Sequence, residues 1–156
     1  MTTQNDDFFK DAPAHHTNEE LQDMAEDILR INMKDLDGES LRQTDIFFKV
    51  QELYRKQSKY LRWLMQTHAE IKLYRQQYYL GQLPSEVYQK EKLRVKPLKT
   101  ELPLYMAADK IMQEIDEKLK DAEDGVSFLE DTMKHVRDRG FNIKTAVEWR
   151  QFMSGA

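Results

Sequence analysis

Apolar residues recur at helical spacing along most of the chain, and the breaks between these runs predict the elements. After a polar, aperiodic opening that carries Pro13 and the pair His15 and His16, the residues Leu21, Met24, Ala25, Ile28, Leu29 and Ile31 follow a helical pattern. Asn18 stands where an N-cap is needed, and Glu19 and Glu20 fall in the first turn, where the helix dipole favours anions. This predicts a first helix ending near Asp35 to Gly38, preceded by a disordered arm over residues 1–17. A second, long helix is expected from Ser40 or Leu41 to Tyr79, a stretch without Gly or Pro, with Gly81 as its stop. A connector follows over residues 80–103. The third helix is expected from Pro103, with apolar or small residues at 104, 108, 111, 115, 119, 122, 126, 129, 133 and 136, its phase kept across Gly125. Gly140 followed by Phe141 predicts a left-handed stop, and Thr145 to Glu148 has the capping-box pattern of a short last helix. The expected fold is all-α: two long helices plus short N- and C-terminal helices, in one domain over residues 18–156.

Projecting the long second helix at about 100° per residue places Ile46, Phe47, Val50, Leu53, Tyr54, Tyr60, Leu61, Leu64, Met65, Ile71, Tyr78 and Tyr79 in one arc, the expected core stripe. Lys49, Arg55, Lys56, Lys59 and Arg62 fall opposite, with Trp63 among them, where it either stacks on a base or packs against another subunit. Towards the C-terminal end the phase inverts, because Lys72 and Arg75 continue the apolar stripe. Unpaired charge there is costly, so two readings stand. Either the helix end projects or these cations find carboxylates, or the stripe opens onto a phosphate-bearing ligand with Tyr74, Tyr78 and Tyr79 as stacking platforms.

Charge sharpens this picture. A net charge of −4 over 156 residues conceals segregation: residues 1–48 hold 4 Lys/Arg against 12 Asp/Glu, residues 49–99 hold 12 against 4, and residues 100–156 hold 8 against 12. A basic middle flanked by acidic ends points to a polyanionic partner, or else to charge-matched packing of helices from neighbouring subunits. The connector adds Lys90, Lys92, Arg94, Lys96 and Lys99, which an extended backbone would carry as one side of an anion-binding surface and a plain linker would leave solvated.

Catalytic chemistry is not indicated. There is no cysteine, no Gly-rich phosphate loop, and no His arrangement that resembles a triad or a zinc site. The acidic cluster of Glu114, Asp116, Glu117, Asp121 and Glu130 lacks the Glu-x-x-His signature of di-metal bundles and reads as a solvated face. No apolar run is long enough to span a membrane and no signal peptide is apparent. The expectation is a binding protein, not an enzyme, without a cofactor or metal.

Three segments resemble the UvsY-type recombination mediators of T4-like phages: Asp138 to Phe152 (DRGFNIKTAVEWRQF), like that family's closing Arg-Gly-Phe-x-Ile-Lys motif, Ala108-Asp109-Lys110, and Arg75 to Gly81 (RQQYYLG). The match runs over roughly residues 36–156. The resemblance implies a ring-like helical homo-oligomer that binds single-stranded DNA and promotes loading of a RecA-like phage recombinase onto strands covered by single-strand binding protein, in the cytoplasm of the infected bacterial host. It assigns strand binding to Arg75, while Leu73 stands where the family has Lys and Lys72 lies one residue away. Together with the charge pattern, the expected DNA-binding residues are Lys59, Arg62, Lys72, Tyr74, Arg75, Tyr78 and Tyr79. The expected oligomer contacts are Phe141, Ile143, Val147, Trp149 and Phe152. A helical adaptor whose basic middle pairs with acidic flanks of neighbouring subunits is the alternative.

Overall fold

The computed structural model describes residues 7–155, whose regular elements are all helices: α1 Asn18–Leu29, α2 Leu36–Leu41, α3 Gln43–Leu80, α4 Ser85–Lys90, α5 Leu102–Ala108 and α6 Lys110–Ser154. The all-α class with two long helices is as expected. The described residues form two compact units. The first combines the chain up to Pro13 with Tyr60–Asp121, and the second combines Ala14–Lys59 with Ala122 onward. Compact packing therefore divides residues 18–156 between two units, and joins residues 7–13 of the arm to the first and residues 14–17 to the second.

The second unit has a conventional apolar core. Leu21 of α1, Ile46, Val50 and Leu53 of α3, and Leu129 and Val136 of α6 are buried together, with Met24, Ile28, Leu29, Tyr54 and Met133 packed around them. Burying each such aliphatic side chain stabilises the fold by about 1.5–3 kcal/mol. The α1 cap is Thr17, one residue before the expected Asn18: its hydroxyl accepts from the Glu20 amide at 3.1 Å and the Glu20 carboxylate accepts from the Thr17 amide at 2.9 Å. Gln57, buried in α3, donates to the His16 carbonyl and accepts from the His16 amide, both at 3.0 Å, and so fixes the entry into α1. That helix stops at Leu29, well before Asp35, and guanidiniums satisfy carbonyls left open at its end. Arg139 donates to those of Leu29 and Arg30, at 3.2 and 3.3 Å, and Arg42 to that of Arg30 at 3.2 Å.

Helix α6 runs through both of its glycines. At Gly125 an added methyl would lie 2.7 Å from Asn18 Oδ1 and 3.3 Å from Leu21 Cδ1, so the residue is small because α1 approaches there. The expected stop at Gly140, with Phe141 folding back and a separate last helix opening at Thr145, is not formed. Among the described residues only Gly81 and Gly155 have positive φ, and the helix continues to bury Ile143.

In the first unit α3 ends as expected, with Gly81 at φ 72°. The connector is not extended throughout, since it contains α4. Pro103 lies in the first turn of α5, and the expected third helix is interrupted at Asp109, which has an extended ψ of 125° before α6 begins. Residues 1–6 of the predicted arm lie outside the described residues. Farther along it, Phe8 meets the Tyr74 ring edge-on at 5.5 Å, and Lys118 Nζ lies 5.1 Å from the centre of the Phe9 ring.

Candidate nucleic-acid interface

Two kinds of cation in the first unit stand out beside exposed pairs such as Lys118 with Glu114. Arg62, Lys72, Lys90, Lys92, Arg94, Lys96 and Lys99 are exposed, and none pairs with a carboxylate among the described residues. Lys96 folds back towards the C-terminal end of α3, where a methyl on Gly81 would sit 3.5 Å from its Nζ. An ammonium there complements the helix dipole and leaves the rest of the basic connector beside that helix end. Lys59, on the preceding turn of α3 and belonging to the second unit, is also exposed.

Arg75 belongs to the other kind. It is only 3% exposed and enters a network built from three elements. Its Nε donates to Asp109 Oδ2 at 2.8 Å, while Nη1 and Nη2 donate to the two Glu91 oxygens at 3.2 and 3.0 Å. Its Cζ lies 4.2 Å from the centre of the Tyr78 ring. Asp109 is engaged on both oxygens. Oδ2 also accepts from the Tyr79 hydroxyl at 2.8 Å, and Oδ1 accepts from the Ile111 and Met112 amides at 3.0 and 3.1 Å, capping α6. Burial disfavours the charged guanidinium, but the hydrogen bonds to Glu91 and the charge of Asp109 outweigh it and raise the Arg75 pKa.

The tyrosines follow the same division. Tyr78 is buried, stacks on Tyr88 at 5.4 Å, and donates to the Glu91 carbonyl at 3.2 Å. Burial first, and then the Glu91 carboxylate, pushes its pKa up to about 12. Tyr79 is half-buried, its pKa raised by burial and by its bond to Asp109, and its ring meets Tyr105 edge-on at 5.8 Å. Tyr74 is half-buried against Phe8.

The expected DNA-binding set thus separates. Lys59, Arg62 and Lys72 are surface cations. Arg75 and Tyr78 lie inside the network and not on the open surface: a guanidinium on the apolar stripe is tolerated only when carboxylates enclose it, and they do. Tyr79 is tied by its hydroxyl and Tyr74 is covered on one side, so neither presents a bare ring. Trp63 is half-buried and stacks on Tyr60 at 6.0 Å. Of the oligomer residues, Phe141, Trp149 and Phe152 are 71, 63 and 71% exposed and Val147 is half-buried, whereas Ile143 is corrected to a core residue of its own unit.

Residue-by-residue reading missed Asp109, Glu91 and Tyr88. Glu91 left a signal, as the single carboxylate in the basic run of residues 90–99. Asp109 stood inside the quoted Ala-Asp-Lys segment without a role. Among the described residues no group of three or more His, Cys, Asp or Glu could hold a metal ion, and no helix is long and apolar enough to cross a membrane.

Residues 23–156 match the family model described as recombination, repair and ssDNA binding protein UvsY. Crystal structures of the bacteriophage T4 recombination mediator protein UvsY are similar in fold. One, in lattice type II, has a TM-score of 0.74 at 21% identity and covers 90% of this chain and 99% of its own; another, in lattice type I, has 0.73 at 20%, covering 86% and 98%. No curated protein matches the sequence significantly.

Proposed function

We propose, from the premise that this chain belongs to the UvsY family, that it is a recombination mediator acting by binding and not by catalysis. It binds single-stranded DNA and promotes loading of a RecA-like phage recombinase onto strands covered by single-strand binding protein, in the cytoplasm of the infected bacterium. The observation that supports strand binding is the set of unpaired, exposed cations of the first unit, Arg62 and Lys72 on α3 and Lys90 to Lys99 along the connector. Each phosphate contact is weak and screened by salt, so affinity grows with the number of cations a strand meets at once. A homo-oligomer, ring-like as in the expectation above, multiplies those contacts. Phe141, Trp149 and Phe152, large and exposed on α6, are its proposed contacts.

A fluorescence-anisotropy titration of a labelled single-stranded oligonucleotide at several salt concentrations, with a duplex control, tests this reading. Saturable, salt-sensitive binding that prefers the single strand and weakens in the Lys92, Arg94, Lys96 and Lys99 quadruple Gln variant is expected. Absence of binding at low salt would reject it and favour the adaptor reading.

A further inference from the structure

Arg75 is held from two sides that differ in kind. On the inner side Asp109 has a side chain only 3% exposed, and its oxygens are also committed to Tyr79 and to the first amides of α6. Removing it would uncap a helix and take from Arg75 its buried partner. On the outer side Glu91 has a side chain 51% exposed and belongs to the irregular end of α4. Its two oxygens meet Nη1 and Nη2 in two side-by-side bonds, the bidentate geometry in which a guanidinium receives a carboxylate or a phosphate interchangeably.

The Glu91 backbone has its own attachments. Its amide donates to the Val87 carbonyl at 2.8 Å, and its carbonyl accepts from the Tyr78 hydroxyl at 3.2 Å. The carboxylate can therefore rotate off Arg75 while the backbone stays in place. The Tyr78 ring under the guanidinium keeps the fork aimed outward, and Asp109 still neutralises it. The sequence neighbours of Glu91, Lys90 and Lys92, are exposed cations, so the released carboxylate turns out among positive charges.

Resting on the strand-binding reading above, we propose that Glu91 plugs a latent phosphate site on Arg75, standing where a backbone phosphate of the single strand docks once the carboxylate swings away. The basic connector then both attracts the strand and carries the group that yields to it. Arg75 is the specific, bidentate contact behind a surface of non-specific cations.

The test compares Glu91→Gln with Glu86→Gln in the anisotropy titration, because Glu86 is an exposed carboxylate on the same short helix and its loss changes the net charge equally. Glu91→Gln is expected to bind the oligonucleotide about three- to tenfold more tightly than Glu86→Gln, and the gain is expected to vanish when Arg75→Lys is added, since an ammonium cannot form the fork. As a measurement free of variants, the Arg75 guanidinium NMR signals of the wild type are expected to shift on adding the oligonucleotide. If the wild type binds but the two glutamine variants bind alike, or the Arg75 signals stay still, the plug is overturned and strand binding stands. If neither wild type nor Glu91→Gln binds, both readings fall.

Discussion

Each unit buries one arginine, Arg75 at 3% and Arg139 at 4% exposure, and the two are held in different ways. Arg139 donates to the Leu29, Arg30 and Glu39 carbonyls and to Gln43 Oε1, and pairs with the buried Glu39 carboxylate. All of its partners are protein groups that a ligand cannot replace. Arg75 has one such partner, Asp109, and one half-exposed partner, Glu91. Burial of a charge does not by itself distinguish the two arrangements; the exposure of the partner does.

The sharpest way to break the comparison is Arg139→Met, which takes from the buried Glu39 carboxylate its buried partner, leaving the more exposed Arg42 guanidinium at 3.4 Å, and removes the Arg139 bonds to the end of α1. A loss of about 3–5 kcal/mol in urea denaturation is expected, and a loss below about 1 kcal/mol would show that Arg139 is no clamp. Asp109→Asn keeps a capping oxygen but removes the inner charge from Arg75, with Glu91 still in place. Its expected cost is about 2 kcal/mol, and a neutral result would show that Glu91 alone carries the pair.

The two units should also fail at opposite ends of the pH scale. Burial works to raise the Glu39 pKa, but the Asn32 backbone bond and the Arg139 and Arg42 guanidiniums bring it below 4.5. Its contribution is therefore present above pH 4.5 and lost as pH falls through the folded value, and Glu39→Gln should flatten the acid limb of the stability curve. Tyr78 rises from 10.0 to about 12, so its contribution is full below pH 10 and is lost as pH climbs towards 12. Tyr78→Phe should remove that alkaline loss, read by denaturation at stepped pH. The smallest effect belongs to the surface: Lys72→Ala should change stability by no more than about 0.5 kcal/mol while lowering the salt slope of strand binding by about 1.

The helices were legible in the sequence because their apolar spacing is long and regular, and Gly81 was legible because it ends a run without other breakers. The site was only partly so. Buried positions on α3 include Ile46, Val50, Leu53, Gln57, Leu64, Thr67, Ile71, Arg75 and Tyr78, and those on α6 include Ile115, Ala122, Leu129, Thr132, Val136, Arg139 and Ile143. The steps between them are threes, fours and sevens, close to a heptad spacing, so a fixed projection of about 100° drifts by roughly 20° per heptad. Phe47 and Met65, placed in the core by that projection, are 40 and 55% exposed. Hydropathy also passes over Gln57, Arg75 and Arg139, whose burial depends on partners distant in sequence, and over Thr132, whose hydroxyl donates to the Phe128 carbonyl one turn earlier. Gly140 misled for a related reason: what governs the spot is Arg139 and Ile143 on either side, both buried within the continuing helix.

Asp109 joins two kinds of bond in one carboxylate, since the oxygen that caps α6 is rigidly coupled to the oxygen that receives Arg75 and Tyr79. The Ile111 and Met112 amide protons are thereby isotopic reporters of an event several bonds away. Their exchange with deuterated solvent should slow when the guanidinium is better neutralised and quicken when it is pulled outward. For the proposed docking of a phosphate on Arg75, these two amides are a gauge internal to the protein, readable without a dye on either molecule.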